Sequence, residues 1–191
     1  MLIRRYRDED GAFVRDLFVR VNRELAPDVL REEFEAYIAQ ALAEEIDRIG
    51  AYYAEQNGSF WIIEEAGSRA AMYGLECADG KTAEIRRMYV DPAMRRRGLG
   101  RAMLAHAGEV CRDAGIEVLR LSTSELQVSA LAFYRACGFR FTHEETAAAR
   151  TNKTIGLGLR RFHFKWTLRG NDATKVRVPT ASTRRSWQSA F

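Results

Sequence analysis

A group of arginines and glycines in the stretch RRMYVDPAMRRRGLGRAML offers the clearest chemistry in the sequence. An apolar, strand-like run ends at Asp91-Pro92, and helix-forming residues follow Gly98. The first backbone N–H groups of a helix have no partners within the helix, and the helix dipole makes that end positive. Guanidinium groups and glycines at such an end complete a site for an anion such as a diphosphate. The residues predicted to form it are Arg95, Arg96, Arg97, Gly98, Leu99, Gly100 and Arg101.

A basic turn can also be an ordinary solvated surface, so the local pattern leaves both interpretations open. Two other nucleotide-binding motifs are excluded. The stretch lacks the G-x-x-x-x-G-K-[ST] of a Walker loop, and it lacks the G-x-G-x-x-G that opens a helix in a parallel dinucleotide-binding unit.

The same turn resembles the signature of a known superfamily. Arg95-x-x-Gly98-x-Gly100 matches the R/Q-x-x-G-x-G/A motif of the GNAT superfamily of acetyl-CoA-dependent N-acyltransferases, and SALAFYRACGF resembles the later helix of that superfamily. The resemblance covers about residues 2–168. It implies an α/β protein of the GNAT fold, with a central, mostly antiparallel mixed sheet that splays into a V, and it implies acetyl-CoA as co-substrate.

Contacts to the co-substrate also follow from the resemblance. It implies that the turn from Arg96 to Arg101 binds the pyrophosphate through backbone amides, with Arg95 at the first signature position. It implies that the preceding strand pairs with the pantetheine arm at Met88, Tyr89 and Val90, which are equally expected to belong to an ordinary sheet core. Many members carry a cofactor-contacting asparagine where this chain has Gln127, whose longer side chain can make the same hydrogen bonds.

Two catalytic roles are implied by the resemblance. Tyr134 lies where many members place a hydroxyl near the thioester sulfur, and a phenol with a pKa near ~10 can protonate a departing thiolate. The alternative for Tyr134 is aromatic packing on the sheet. Glu84 lies where several members place the general base that deprotonates the amine, directly or through water. The alternative for Glu84 is a strand-end carboxylate paired with an arginine.

The elements that must position these residues are predicted in the order βααβββαβαββ. The stretch GAFVRDLFVRVNREL has apolar residues at helical spacing, and the residues after Pro27 are predicted to form a further helix. Three strand-like runs between residues 59 and 90 are separated by Ala66-Gly67-Ser68 and Asp79-Gly80-Lys81, which predicts an antiparallel meander. The last two strands are predicted in FRFTHEE and RFHFKWTL, with a surface loop between them.

Length and charge indicate one domain with an extension. We expect residues 1–168 to form the domain, because 191 residues with 47% hydrophobic content suffice for one core. The net charge of +4 lies in residues 169–191, which are predicted to be a basic, polar and flexible tail. Nucleic-acid binding is therefore not expected of the domain. The charged N-terminus and the lack of a long apolar run predict a cytoplasmic protein with no membrane partner.

Cysteines and histidines give no pattern typical of covalent or metal chemistry. Cys77, Cys111 and Cys137 are widely spaced and are expected to be reduced thiols, so a mechanism through a cysteine intermediate is disfavoured. The three histidines lie far apart in the sequence, and no metal is expected.

The resulting hypothesis is an N-acetyltransferase that transfers the acetyl group of acetyl-CoA to a primary amine by direct attack in a ternary complex. The alternative is a non-catalytic acyl-CoA-binding or regulatory module. The acceptor is expected to be a small-molecule or peptide amine that contacts residues 22–58 and 146–161, and a homodimer stays open. Several acids there could attract a cationic amine or could be a solvated helix face, namely Glu24, Asp28, Glu32, Glu33 and Glu35.

Overall fold

A computed structural model describes residues 1–168 as seven strands and five α-helices. The predicted tail, residues 169–191, lies outside the described residues. The elements in chain order are β1 (Leu2–Arg5), α1 (Gly11–Leu25), α2 (Arg31–Glu44), α3 (Ile49–Glu55), β2 (Ser59–Glu65), β3 (Ser68–Cys77), β4 (Thr82–Val90), α4 (Leu99–Asp113), β5 (Val118–Ser124), α5 (Val128–Ala136), β6 (Arg140–Ala147) and β7 (Leu159–Thr167).

The strands form one mixed sheet in the order β1-β2-β3-β4-β5-β7-β6. Only the central pair, β4 and β5, is parallel, and every other neighbouring pair is antiparallel. The predicted meander of β2, β3 and β4 is confirmed, with Ala66 and Gly67 both at positive φ in the first turn, as a tight hairpin requires. The mixed, mostly antiparallel sheet of the predicted fold is therefore present.

Helices cover both faces of the sheet and create two apolar cores. Successive side chains of a strand point to opposite faces, so Met72 packs with α1, α2 and α3 while Tyr73 packs with α4 and α5. Ile62 and Ile63 divide in the same way. This explains the continuous apolar runs in β2 and β3, which are buried on both sides.

The predicted second helix is divided into two. α2 ends at Glu44, Glu45 adopts φ −137° and ψ −57°, and a short 3-10 turn at Ile46–Arg48 leads into α3. The predicted order therefore lacks one short helix. Glu45 is fully buried, and its carboxylate turns toward two arginines of β4. The break in the helix places this charge between the helices and the sheet.

No helix among residues 1–168 combines the length and the apolar character that crossing a bilayer requires.

Candidate active site

β4 and β5 pair over only three residues each and then separate. Thr82–Glu84 of β4 lie beside Val118–Arg120 of β5, while β4 continues to Val90 and β5 continues to Ser124. The gap opens into a cavity, here called the central cavity, lined by residues 84–89, residues 121–124, Gln127, Tyr134, residues 153–155, Arg161 and residues of α1 and α2. The predicted V-shaped splay is thus the origin of the cavity.

A second cavity, here called the turn cavity, lies where β4 ends and α4 begins. Its lining residues are Val90, Met94, Arg95, Arg96, Gly98, Leu99, Gly100, Arg101 and Phe133. Every predicted anion-site residue except Arg97 is therefore among them. Gly98 is the N-cap of α4, and its φ of +83° favours glycine, although a Cβ added there would meet nothing within 4 Å. At Gly100 a Cβ would lie 3.0 Å from the ring of Phe133.

The arginines of the turn differ in their contacts. Arg95 donates from Nη1 and Nη2 to the carboxylate of Glu24 on α1, at 2.8 and 2.9 Å. Arg96, Arg97 and Arg101 are exposed at the mouth of the turn. Exposed guanidinium groups beside the first turn of a 15-residue helix fit a diphosphate, because the helix end also presents free N–H groups. Arg95 instead joins the turn to α1.

A β-bulge lies in β4 at the edge of the central cavity. Gly74 of β3 pairs with Arg86 and Met72 pairs with Tyr89, so Arg87 and Met88 together lie opposite one residue of β3. Arg87 has φ +50°, an uncommon conformation for a residue with a side chain. A bulge interrupts the regular ladder, and here it lets both arginine side chains reach the same buried carboxylate.

That carboxylate is the centre of a buried ionic network. Oε2 of Glu45 accepts from Nη2 of Arg86 at 2.8 Å and from Nη2 of Arg87 at 2.6 Å, and Oε1 accepts from Nε of Arg87 at 3.0 Å. The hydroxyl of Tyr53 also donates to Oε1, at 3.0 Å. Arg86 contacts Glu76 as well, on β3. The carboxylates outweigh the cost of burial and hold the pKa of Arg86 above its usual range.

Sequence reasoning missed this network. The run EIRRMYV is predicted only to form a strand, although two consecutive arginines, Arg86 and Arg87, inside an apolar run are a detectable signal. Buried arginines require anionic partners, which could have prompted a search for buried acids. Nothing local in the sequence, however, distinguishes Glu45 from its exposed neighbour Glu44.

Glu84 lies in the central cavity beside a lysine. Nζ of Lys153 is 3.2 Å from Oε2 of Glu84 and 3.0 Å from Oε2 of Glu76, so the lysine bridges both carboxylates. Glu84 is partly exposed and lines the cavity, and Arg120 is its neighbour in the backbone register of β5. The predicted alternative of an arginine partner is thus replaced by a lysine from the segment between β6 and β7.

Tyr134 lies on α5 with its hydroxyl facing β4. The hydroxyl is 4.0 Å from Sδ of Met88, and the residue is 9% exposed and lines the central cavity. The rings of Phe139 and Phe164 lie about 6 Å from its ring, so the predicted aromatic packing is also present. Burial raises the pKa of Tyr134 well above its usual value, which keeps the phenol protonated.

The remaining residues predicted to contact the co-substrate line one or other of the two cavities. Gln127 precedes α5, and its Oε1 accepts from Oγ1 of Thr123 at 2.7 Å, which orients the side chain beside the central cavity. Met88 and Tyr89 line the central cavity and Val90 lines the turn cavity. Tyr89 also packs against Phe18, with ring centroids 6.1 Å apart. Consecutive residues of β4 therefore connect the two cavities.

Three of the five acids named in the sequence form surface ion pairs. Asp28 contacts Arg31, Glu35 contacts Arg23, and Glu24 contacts Arg95. None of the five acids named in the sequence lines the central cavity. The loop between β6 and β7 is part of the central cavity and is more than the predicted surface loop, because Lys153 and Ile155 line the cavity and Ile155 is buried.

The cysteines lie apart from both cavities. Cys77, Cys111 and Cys137 are free thiols, and none is a lining residue. Burial raises the pKa of Cys111 to about 12, so the reactive thiolate is disfavoured.

Strand pairing brings together two histidines that are distant in the sequence. His143 of β6 lies opposite His163 of β7, with stacked rings at a centroid distance of 4.4 Å. Their ligand atoms and those of Glu145 lie within 4.8 Å of one another. The absence of a metal is predicted from the spacing of the histidines along the sequence, which cannot identify neighbours on paired strands. It stays a prediction.

Comparison with known proteins agrees with this architecture. Residues 23–139, more than half of the chain, match the acetyltransferase (GNAT) family. The chain is 30% identical over 138 residues to N-acetyltransferase family 8 member 2 of Rattus norvegicus, covering 69% of this chain and 59% of that protein. It is 30% identical over 112 residues to N-acetyltransferase 8 of Homo sapiens, covering 56% and 49%. The chain thus spans only about half to three fifths of these relatives.

Solved structures share the fold. A putative acetyltransferase from Salmonella typhimurium, solved with its cofactor acetyl-CoA, superposes with a TM-score of 0.66 at 20% identity and covers 93% of this chain and 99% of its own. A GNAT-family acetyltransferase from Staphylococcus aureus also gives a TM-score of 0.66 at 20% identity, covering 88% and 99%. Because the family match extends over more than half of its residues, the chain belongs to the GNAT acetyltransferase family.

Proposed function

We propose that this protein is an N-acetyltransferase that transfers the acetyl group of acetyl-CoA to a primary amine by direct attack in a ternary complex. The observation that carries the proposal is the connection of two cavities along β4. The turn cavity offers helix N–H groups and exposed arginines to a diphosphate, and the central cavity holds Glu84 and Tyr134. The matches to N-acetyltransferases support the same reaction.

The chain supplies binding along β4. Acetyl-CoA would place its pyrophosphate at Gly98 to Arg101 and its pantetheine arm along Met88, Tyr89 and Val90. Strands that separate leave backbone hydrogen-bonding groups available to a ligand, which can pair with them as a further strand would. The acetyl group would then lie in the central cavity.

Tyr134 handles the proton of the leaving group. In the reaction the amine nitrogen forms a bond to the thioester carbon, and the carbon–sulfur bond breaks. The thiolate sulfur that leaves takes the phenolic proton of Tyr134. Its position supports this role, because Tyr134 lines the central cavity and its hydroxyl faces Met88 of β4.

Glu84 handles the proton of the acceptor. An alkyl ammonium has a pKa of about 10, so it must lose a proton before the nitrogen can attack. Glu84 accepts that proton directly or through a water. Its carboxylate lines the central cavity, and Nζ of Lys153 lies 3.2 Å from Oε2.

The bulge in β4 supplies a group for the developing oxyanion. Met88 lies at the bulge and lines the central cavity, so its backbone N–H is a candidate donor to the thioester oxygen. The ionic pairs of Arg86 and Arg87 with Glu45 fix the backbone on which this donor lies. A donor that is already in place costs no reorganisation during the reaction.

The test is calorimetry with acetyl-CoA followed by a screen of primary amines for release of free CoA thiol. Binding together with thiol release and an N-acetylated product supports the proposal. No binding at millimolar acetyl-CoA contradicts it. Binding with no release for any amine would favour the alternative of a non-catalytic acyl-CoA-binding module.

A further inference from the structure

Arg161 is a largely buried cation that faces the central cavity, and in the part of the chain that the structure describes no carboxylate is hydrogen-bonded to it. Its side chain is 14% exposed, it lines the cavity from β7, and Nη2 donates to Oγ of Ser122. Within residues 1–168, the nearest carboxylate oxygen that pairs with it is Oε1 of Glu145, 3.8 Å from Nη1. Burial lowers the pKa of Arg161 below its usual value.

The other cations at the cavity have closer partners. Arg86 and Arg87 donate to Glu45, Arg86 also contacts Glu76, and Lys153 bridges Glu76 and Glu84. Glu145 compensates Arg161 poorly, because its side chain is 47% exposed and the same oxygen lies 3.0 Å from Nε2 of His163. Among residues 1–168, Arg161 is therefore the cation at the cavity whose carboxylate partner is the most distant and the most exposed.

A largely buried guanidinium whose nearest carboxylate is distant and exposed is poorly compensated, and a carboxylate matches its planar donor geometry. We propose that the acceptor amine carries a carboxylate and that Arg161 binds this carboxylate through its guanidinium. The inference rests on the proposed function, and it names the acceptor class.

The positions of Arg161 and Glu84 are consistent with one acceptor bound at both ends. Glu84 lies on β4 and Arg161 on β7, with β5 between them, and both side chains line the same cavity. An acceptor with an amine at Glu84 and a carboxylate at Arg161 would be oriented for attack. The distance between the amine and the carboxylate of the acceptor differs among α-, β- and γ-amino acids, so these compounds test which distance fits.

The experiment compares amino acids with their amides in matched pairs. Each of the twenty α-amino acids, β-alanine and γ-aminobutyrate is assayed for thiol release against the corresponding amide. We expect acids to be acetylated with a KM at least about tenfold below that of their amides, because a charge-assisted hydrogen bond is lost in the amide. Arg161→Gln should raise the KM of the acid about 10- to 100-fold and leave the KM of the amide unchanged. Arg161→Lys should restore part of the preference.

Arg160→Gln is the control, because Arg160 carries the same charge on the adjacent residue of β7 and pairs with Glu125 outside the cavity. It should change neither KM. Calorimetry of the same acids and amides with the CoA-bound protein gives a readout that needs no turnover. The inference would be overturned if amides reacted or bound as well as the acids. It would also be overturned if Arg161→Gln raised the KM of the acids and of the amides equally. Binding of acetyl-CoA with no binding or turnover of any acid would overturn it as well. Failure of acetyl-CoA to bind would instead contradict the proposed function.

Discussion

Arg87 and Glu45 are 42 residues apart in the sequence and share two hydrogen bonds in the protein interior, Nε to Oε1 at 3.0 Å and Nη2 to Oε2 at 2.6 Å. The guanidinium lies on the bulge of β4, and the carboxylate lies at the break between α2 and α3. The pair therefore joins the first helices to the strand that lines both cavities. The pair holds β4, which lines the candidate site, against the helices that cover this face of the sheet.

Glu45→Gln should destabilise the fold strongly. The amide cannot neutralise Arg86 and Arg87, and removing one partner of a buried ion pair costs about 3–5 kcal/mol. Urea denaturation monitored by circular dichroism measures the free energy of unfolding. Glu44→Gln is the matched control, because Glu44 is adjacent and exposed, and it should change stability by less than about 0.5 kcal/mol. Equal stability of the two variants would show that the network contributes little.

Gly98→Ala should weaken acetyl-CoA binding more than its effect on folding explains. Gly98 requires a positive φ, so alanine costs about 1 kcal/mol of stability. Its Cβ would also project from the turn at the mouth of α4. Gly80→Ala is the control, because Gly80 has φ +73° with equally open surroundings but lines neither cavity. Calorimetry should show a several-fold loss of affinity only in Gly98→Ala, and the same affinity in both variants would contradict the proposed pyrophosphate site.

The turn at Gly98 was predictable because its evidence is local. Strand residues, Asp91-Pro92, a run of arginines, two glycines and an amphipathic helix follow one another within 20 residues, and each has its own conformational preference. The positions of Glu84 and Tyr134 came from the resemblance, and the structure places both at one cavity. Local conformational preferences thus predict the turn at Gly98, and the family resemblance supplies the positions of Glu84 and Tyr134.

What the sequence could not predict depends on contacts between distant segments. Lys153 reaches Glu76 and Glu84 from a loop about 70 residues later in the chain. His143 and His163 become neighbours only through the register of β6 and β7. The break after Glu44 follows from burial of Glu45, and helix propensity gives no reason for it. Such features require the tertiary structure, because the energy of a buried charge depends on partners that the local sequence does not contain.

Glu84→Gln should alter the rise of activity with pH. If Glu84 accepts the proton of the amine, the amide removes that base while keeping nearly the same volume. The variant should lose the ascending limb or show it at higher pH. The control is Glu109→Gln on exposed α4 surface, outside both cavities. A profile in Glu84→Gln that coincides with that of the wild type would leave Glu84 as a partner of Lys153 only.

Tyr134→Phe should lower kcat while acetyl-CoA affinity is retained. The phenyl ring keeps its packing against Phe139 and Phe164, and only the hydroxyl beside Met88 is lost. Loss of a general acid costs on the order of 10² in rate, near the lower end because a thiolate leaves readily. Steady-state kinetics with the amine found by screening, together with calorimetry, measures the two quantities separately.

The matched control for Tyr134→Phe is Tyr73→Phe, which removes the same hydroxyl from a buried tyrosine that lines neither cavity. It should leave kcat unchanged even if it lowers stability. The pH profile gives an independent check on Tyr134. Because burial raises its pKa, the protonated phenol persists to higher pH than in water, so the wild-type kcat should not fall through loss of this proton below about pH 10. Full activity in Tyr134→Phe would limit the tyrosine to packing, whereas a loss of acetyl-CoA affinity would indicate that its hydroxyl contributes to binding.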